Sequence, residues 1–201
     1  MFAYWKKNNI VSLLFQSPYV YLANQKFWVG NYNSLIKELF DIKPDENILD
    51  VACGVSMVAP YIKGYYTGVD INKNYIQYNN KKYPANNYIC QDFKEIKFGA
   101  KSFDQSIVIN FLHHLPDDEI KQLLDRMGQL TKNKIIIADL SPNDKNFLAR
   151  FLYSMDQGKF IRQENVLTKL ISQSLKIEKV YTFLSPRRIY KHIVFVCSPR
   201  N

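Results

Sequence analysis

The chain has 201 residues, 47% apolar and 14% aromatic, which is enough for one domain with a buried core and excludes a disordered tail, a collagen and a low-complexity linker. It carries no apolar run of about 18 residues, and residues 10–15 are too short an apolar stretch for a signal sequence, so a cytoplasmic protein is expected. The net charge of +9 comes mostly from scattered lysines; it is compatible with nucleic acid, an anionic membrane surface or an acidic substrate, and requires none of them.

Taken in chain order, residues 1–32 are aromatic-rich and helical in pattern, with a break at Ser17-Pro18. They read as an N-terminal helical lid. Residues 33–40 give a second amphipathic stretch, stopped near Pro44. An alternation then begins. Short apolar runs at 47–51, 65–71, 87–91, 103–110 and 134–140 read as strands. Residues 58–63, 73–82 and 117–130 read as helices between them. This rhythm implies crossover units and a parallel sheet, and the apolar runs at 106–109 and 135–137 fit strands covered on both faces. Residues 143–174 read as a long helical insertion that covers the acceptor side of the carboxyl edge. The final runs, 176–183 and 190–197, are joined by too few residues for a parallel crossover, so the last strand is expected to pair antiparallel. The expected fold is one α/β domain over 1–201. It has three layers, a Rossmann-like, seven-stranded, mostly parallel sheet and an antiparallel last strand.

In such a sheet, ligands bind outside the carboxyl ends of the strands. Each parallel strand delivers polar residues there. The ends read Asp50-Val51-Ala52-Cys53-Gly54-Val55-Ser56, then Val69-Asp70, Gln91-Asp92-Phe93, Asn110-Phe111-Leu112-His113-His114 and Ala138-Asp139-Leu140. One such Asp is an ordinary turn residue; so many in register point to a site. Asp70 lies twenty residues after Asp50, a spacing that suits a carboxylate accepting from the two hydroxyls of a ribose. Ala52, Gly54 and Ser56 are small enough for close approach of a ligand to the backbone. Cys53, Cys90 and Cys197 lack C-x-x-C spacing and read as reduced, mostly buried thiols. No compact set of metal ligands stands apart from these acids.

On these residues the sequence resembles the class I S-adenosylmethionine-dependent methyltransferases. The carrying segments are Ile48-Leu49-Asp50-Val51-Ala52-Cys53-Gly54, Gly68-Val69-Asp70-Ile71, Gln91-Asp92-Phe93, Phe103-Asp104 leading to Leu112-His113-His114-Leu115-Pro116-Asp117, and residues 135–140. The resemblance spans residues 33–201 and implies S-adenosyl-L-methionine as cofactor. It implies Asp50, Ala52 and Gly54, with Cys53 among them, at the methionine end. Asp70 would hold the ribose, with Ile71 beside it, and Asp92 and Phe93 would lie near the adenine. Asn110 and Phe111 would line the wall by the sulfonium. This chain departs from the family where Ala52 and Ser56 replace glycines; both are small, and binding is expected to survive. A nicotinamide enzyme fits less well, because the fingerprint G-x-G-x-x-G is absent.

An oxygen or nitrogen acceptor needs a base, and a histidine titrating near neutrality suits that task. His113 and His114 both follow the fourth strand. Sequence neighbours point to different sides of a turn, and His114 is the expected base. The turn-shaping role before Leu115-Pro116 is the competing explanation. Asp139, Arg162 and Tyr21 are candidate acceptor contacts, together with Ser141, Arg150, Arg187, Arg188, Tyr4 and Tyr19. Phe147, Phe151, Tyr153, Met155 and Phe160 of the insertion either pack in the core or line an apolar acceptor pocket. The leading reading is methyl transfer to a small-molecule or lipid-like acceptor. A nucleic-acid methyltransferase is the alternative, favoured by charge, but strand four lacks the Asn/Asp-Pro-Pro-aromatic motif of that branch. The third is a non-catalytic domain on an anionic membrane, since Phe2, Trp5, Lys6, Lys7, Leu13 and Leu14 resemble an interfacial helix.

Overall fold

In the computed structural model, residues 14–28, 42–142, 160–187 and 189–200 are described. The amphipathic stretch at 33–40, residues 143–159 of the insertion and the proposed interfacial residues up to Leu13 lie outside them. So do Tyr4, Arg150 and Arg188.

The described elements are α1 (Pro18–Trp28), β1 (Asn47–Val51), β2 (Tyr65–Asp70), α2 (Lys73–Lys82), β3 (Asn87–Cys90), β4 (Phe103–Ile109), α3 (Asp117–Leu130), β5 (Thr131–Ser141), α4 (Glu164–Ser174), β6 (Leu175–Leu184) and β7 (Lys191–Pro199). Single 3-10 turns stand at Ala59–Tyr61 and Leu112–His114. The expected helix at 58–63 is thus only a 3-10 turn, with Pro60 inside it.

The seven strands form one sheet in the order β3-β2-β1-β4-β5-β7-β6. Strands β1 to β5 pair in parallel, and β7 runs antiparallel to both β5 and β6. The reversal follows from the short connection, as expected. It is closed by hydrogen bonds from the Ser185 amide to the Tyr190 carbonyl (2.8 Å) and from the Tyr190 amide to the Ser185 hydroxyl (3.1 Å).

The central strands are apolar on both faces because both faces are covered. One face packs Leu123, Leu124 and Met127 of α3 and Leu167 and Ile171 of α4 against Leu49, Ile135, Ile137 and Phe195. The other packs Ile76 of α2 and the Ala59 turn against Ile107, Ile136, Ala138 and Val194. Within the 143–174 insertion, Glu164–Ser174 therefore belongs to the helical layer beside α3, because Leu167 and Ile171 place an apolar stripe on that face. Helix α3 begins at Asp117, Asp118 and Glu119, whose charges complement the positive end of the helix. Cys53 and Cys197 are buried, whereas Cys90, at the end of β3, is exposed. No helix among the described residues is long and apolar enough to cross a membrane.

Candidate active site

The order of strands reverses between β1 and β4, which is where an open α/β sheet forms its ligand crevice. The chain leaves β1 through a tight loop. Ala52, Gly54 and Ser56 have φ values of 56°, 53° and 51°. The backbone keeps a left-handed, glycine-like shape at all three positions although only one is glycine. For alanine and serine this conformation costs about 1 kcal/mol each. At Gly54 the space that a Cβ would take is bounded by Tyr21 of α1, with Cε1 at 3.7 Å and the hydroxyl at 3.9 Å. Tyr21 therefore does lie over the loop. Helix α1 and the turn before it are held there by Tyr75 of α2, whose hydroxyl donates to the Phe15 carbonyl and whose ring lies 5.2 Å from that of Tyr21. At the other end of α1, the Arg187 guanidinium sits 4.0 Å over the Phe27 ring.

Asp70 ends β2 beside this loop. Its Oδ2 accepts from the Gly54 amide (2.9 Å) and its Oδ1 from the Asn72 amide (2.8 Å). Burial pushes the carboxyl up in pKa, while the main-chain N–H groups of Asn72, Gly54 and Ile71 pull it down. A carboxylate offers roughly four acceptor positions, so both oxygens retain capacity for the hydroxyls of a diol. Ile71 follows, 38% exposed at the rim.

Asp50 occupies a different level. It is buried beneath the loop, where the Tyr66 hydroxyl donates to its Oδ2 (2.5 Å) and lies 3.2 Å from the Ser56 hydroxyl. Burial raises its pKa to about 7, against the opposing effect of the Tyr66 hydrogen bond and with a further push from the Asp70 charge. Cys53 is likewise turned inward. Its Sγ stands 2.9 Å from where a Cβ on Gly68 would be, so only glycine at 68 lets the thiol and the Tyr66 and Tyr88 rings close over β2. Burial raises the Cys53 thiol well above its ordinary value. Phe93 is also inward, in the core with Leu49 and Val69, while Asp92 caps its own turn by accepting from the Lys94 amide (3.0 Å). Of the residues expected around the cofactor, Ala52, Gly54, Asp70, Ile71, Asn110 and Phe111 share the rim; Asp50, Cys53 and Phe93 support it from below.

Strand β4 is followed by Asn110, which has φ 52° and donates its amide to the Ala138 carbonyl (2.7 Å). The 3-10 turn that follows carries both histidines. His113 is buried, and its Nδ1 lies 2.5 Å from Asp139 Oδ1, which also accepts from the Leu140 amide (2.8 Å). Asp139 is thus committed to His113 from within the fold. His114 is half-buried, its ring 4.2 Å from that of His113 and 6.2 Å from that of Phe111. Arg162 is placed otherwise than as an acceptor contact. Its guanidinium reaches the carbonyls of Leu112 (3.2 Å), Phe160 (2.9 Å) and Leu115 (2.6 Å) and pairs with Asp117 (2.6 Å). It fastens the 160–162 segment to the turn after β4, because a planar fork suits several oxygens at once.

Three further side chains near the rim are not among the residues expected from the sequence. Tyr66 sits in the ordinary alternation of β2, and nothing marks its hydroxyl as the partner of Asp50. His192 is wholly buried, stacked on Phe183 at 4.9 Å. Its burial, with a smaller opposing pull from Asp139, lowers its pKa to about 4. Asn79 left a legible signal: it is a polar residue on the inward stripe of α2, beside Tyr75 and Ile76.

Comparison with known proteins agrees with this geometry. Residues 49–138 match the family model of a methyltransferase domain. A 24-methylenesterol C-methyltransferase of Arabidopsis thaliana is 29% identical over 110 residues, covering 50% of this chain and 31% of that protein, so the match spans about a third of the relative. An S-adenosylmethionine-dependent methyltransferase of Methanosarcina mazei superposes with a TM-score of 0.68 at 17% identity, over 83% of this chain and 98% of that one. A geranyl diphosphate C-methyltransferase of Streptomyces coelicolor, solved with S-adenosyl-L-homocysteine, gives 0.64 at 9% identity, over 84% and 74%. The rim fits S-adenosylmethionine, the cofactor of the Methanosarcina mazei protein. The rim's loop is left-handed at three positions and carries no Cβ at Gly54, under Tyr21, and an acid with spare acceptor capacity adjoins it. Residues 49–138 are thus a methyltransferase domain, and the strand order and loop geometry around it support a class I S-adenosylmethionine-dependent methyltransferase.

Proposed function

We propose that the chain transfers a methyl group from S-adenosylmethionine to a small, lipid-like acceptor, in the cytoplasm. The observation that carries the reading is the histidine pair after β4, with Asp139 bonded to His113 and His114 half-buried between the rings of His113 and Phe111. The acceptor class is supported by apolar side chains left exposed along the same end. These are Tyr19, Val20 and Phe27 of α1, Ile71 after β2 and Leu184 at the end of β6. The relatives described above include a 24-methylenesterol C-methyltransferase and a geranyl diphosphate C-methyltransferase, which agrees with such an acceptor.

The bound cofactor supplies a methyl group already activated by its sulfonium. Asp70 would hold the ribose hydroxyls, with Ile71 beside it. The loop at Ala52, Gly54 and Ser56 receives the methionine end. Asn110 and Phe111 wall the reacting side, and Tyr21 of α1 closes over the loop and excludes water. Asp139 fixes the ring of His113, which packs against His114 and limits its rotation. Transfer would break the bond between methyl and sulfur and leave a neutral thioether, and His114 would accept the proton that the methylated acceptor then releases.

The test is transfer of labelled methyl groups to isoprenoid lipid extract, polar small-molecule extract and bulk RNA in parallel. The lipid fraction is expected to label, and His114→Gln to lower turnover by about a hundredfold while leaving cofactor affinity intact. Labelling of RNA alone would replace this reading with the nucleic-acid one. Undiminished turnover in His114→Gln would remove the base.

A further inference from the structure

Ala52 and Ser56 hold a backbone shape that their own side chains resist, and hydrogen bonds offset that cost, one within the loop from the Ser56 amide to the Cys53 carbonyl (2.8 Å) and others reaching it from outside. Gly54, midway between them, is gripped at both of its main-chain polar groups. Its amide donates to Asp70 Oδ2 (2.9 Å), and its carbonyl accepts from Asn79 Nδ2 (2.7 Å). The same Nδ2 lies 3.9 Å from Cys53 Sγ. Asn79 is wholly buried in the inward stripe of α2, and its Oδ1 has no hydrogen-bond partner among the described residues. A buried amide with one end unsatisfied costs stability that an apolar side chain would not. What the position supplies is therefore the donated hydrogen bond, and that bond goes to the loop.

We infer that Asn79 is a positioning residue for the cofactor loop. By holding the Gly54 carbonyl it keeps Ala52 and Ser56 in the left-handed form that receives the methionine end of S-adenosylmethionine, and so replaces the conformational freedom of the two absent glycines. Asn79 acts through the loop and makes no cofactor contact of its own. The inference rests on the loop being the cofactor site.

The experiment is calorimetric titration of the full chain with S-adenosylmethionine and with S-adenosylhomocysteine. The variants are Asn79→Ala and Asn79→Leu, each made with Ala52 and again with Ala52→Gly. Asn79→Leu fills the space without a donor, which separates packing from the hydrogen bond. With Ala52 present, either substitution is expected to weaken both ligands about tenfold. In the Ala52→Gly background the same substitutions are expected to cost about twofold or less, since the glycine needs no clamp. If Asn79→Ala fails to fold alone, folding of the Asn79→Ala, Ala52→Gly chain is itself the rescue. Failure of that double variant to fold as well would overturn the inference, as would unchanged affinity in Asn79→Leu or an equal loss in both backgrounds. Absence of binding by the unsubstituted chain would instead defeat the cofactor assignment, before any variant is compared.

Discussion

At the scale of single residues, Asp50 shows how burial sets chemistry. Its carboxyl titrates at about 7 in the fold against an ordinary value of 3.8. The folded state therefore binds this proton more tightly than the unfolded chain does. The associated stability is complete below pH about 4 and is lost as pH rises through 7, a change of a few kcal/mol. His192 acts with the opposite sign. Its pKa is lowered to about 4, so its contribution is present above about 6.5 and lost as pH falls through 4. Comparing Asp50→Asn with the unsubstituted chain isolates the first effect. The variant should match the parent near pH 4 and exceed it at pH 8 by a few kcal/mol in denaturant unfolding. Tyr66→Phe, which removes the hydrogen bond favouring the charged form, should extend the falling limb to higher pH. Parallel pH curves for Asp50→Asn and the parent would contradict this account. The identity of Asp50 was readable in the sequence, but its depth was not. The Asp50 carboxylate turns down because Tyr66, one strand away, offers a hydroxyl there, and sequence spacing does not report that cross-strand contact.

At the scale of elements, the helical layer over β1, β4 and β5 is held by α3 and α4. Leu124 is wholly buried between α3 and the sheet. Leu124→Ala should cost about 3 kcal/mol in unfolding free energy, measured by denaturant titration, through a cavity that rigid neighbours cannot close. Cofactor affinity per folded molecule should stay the same, because α3 lies on a face and the site at the strand ends. An unchanged stability would show that the layer is looser than its packing indicates. The strands, α2 and α3 were legible because alternation and helical periodicity sit in adjacent residues. The boundaries of β5 were less so: it begins at Thr131, directly after α3, with polar Lys132 and Asn133 in the strand. Tertiary pairing with β4 and β7 extends it past what apolar character alone marks. The role of Glu164–Ser174 as a layer helix also depended on partners distant in sequence, namely Leu123 and Met127 of α3.

At the scale of the whole molecule, one rim gathers the end of every parallel strand, and α1 crosses above it from Tyr75 to Arg187. The site was legible as a set of strand-end residues, since topology sends them all to one edge. Which of them face a ligand was legible only in part. Asp139 and Arg162 hold polar partners inside the fold, whereas Asp70 and the loop at Gly54 meet at the strand ends, under Tyr21 of α1. The central claim is that this rim binds S-adenosylmethionine, with Asp70 on its ribose. Calorimetric titration of the unsubstituted chain and of Asp70→Ala tests it most directly. The account predicts saturable binding with one site per chain, weakened about tenfold or more in Asp70→Ala, whose fold is retained by circular dichroism. No binding by the unsubstituted chain, or full affinity in Asp70→Ala, would contradict it.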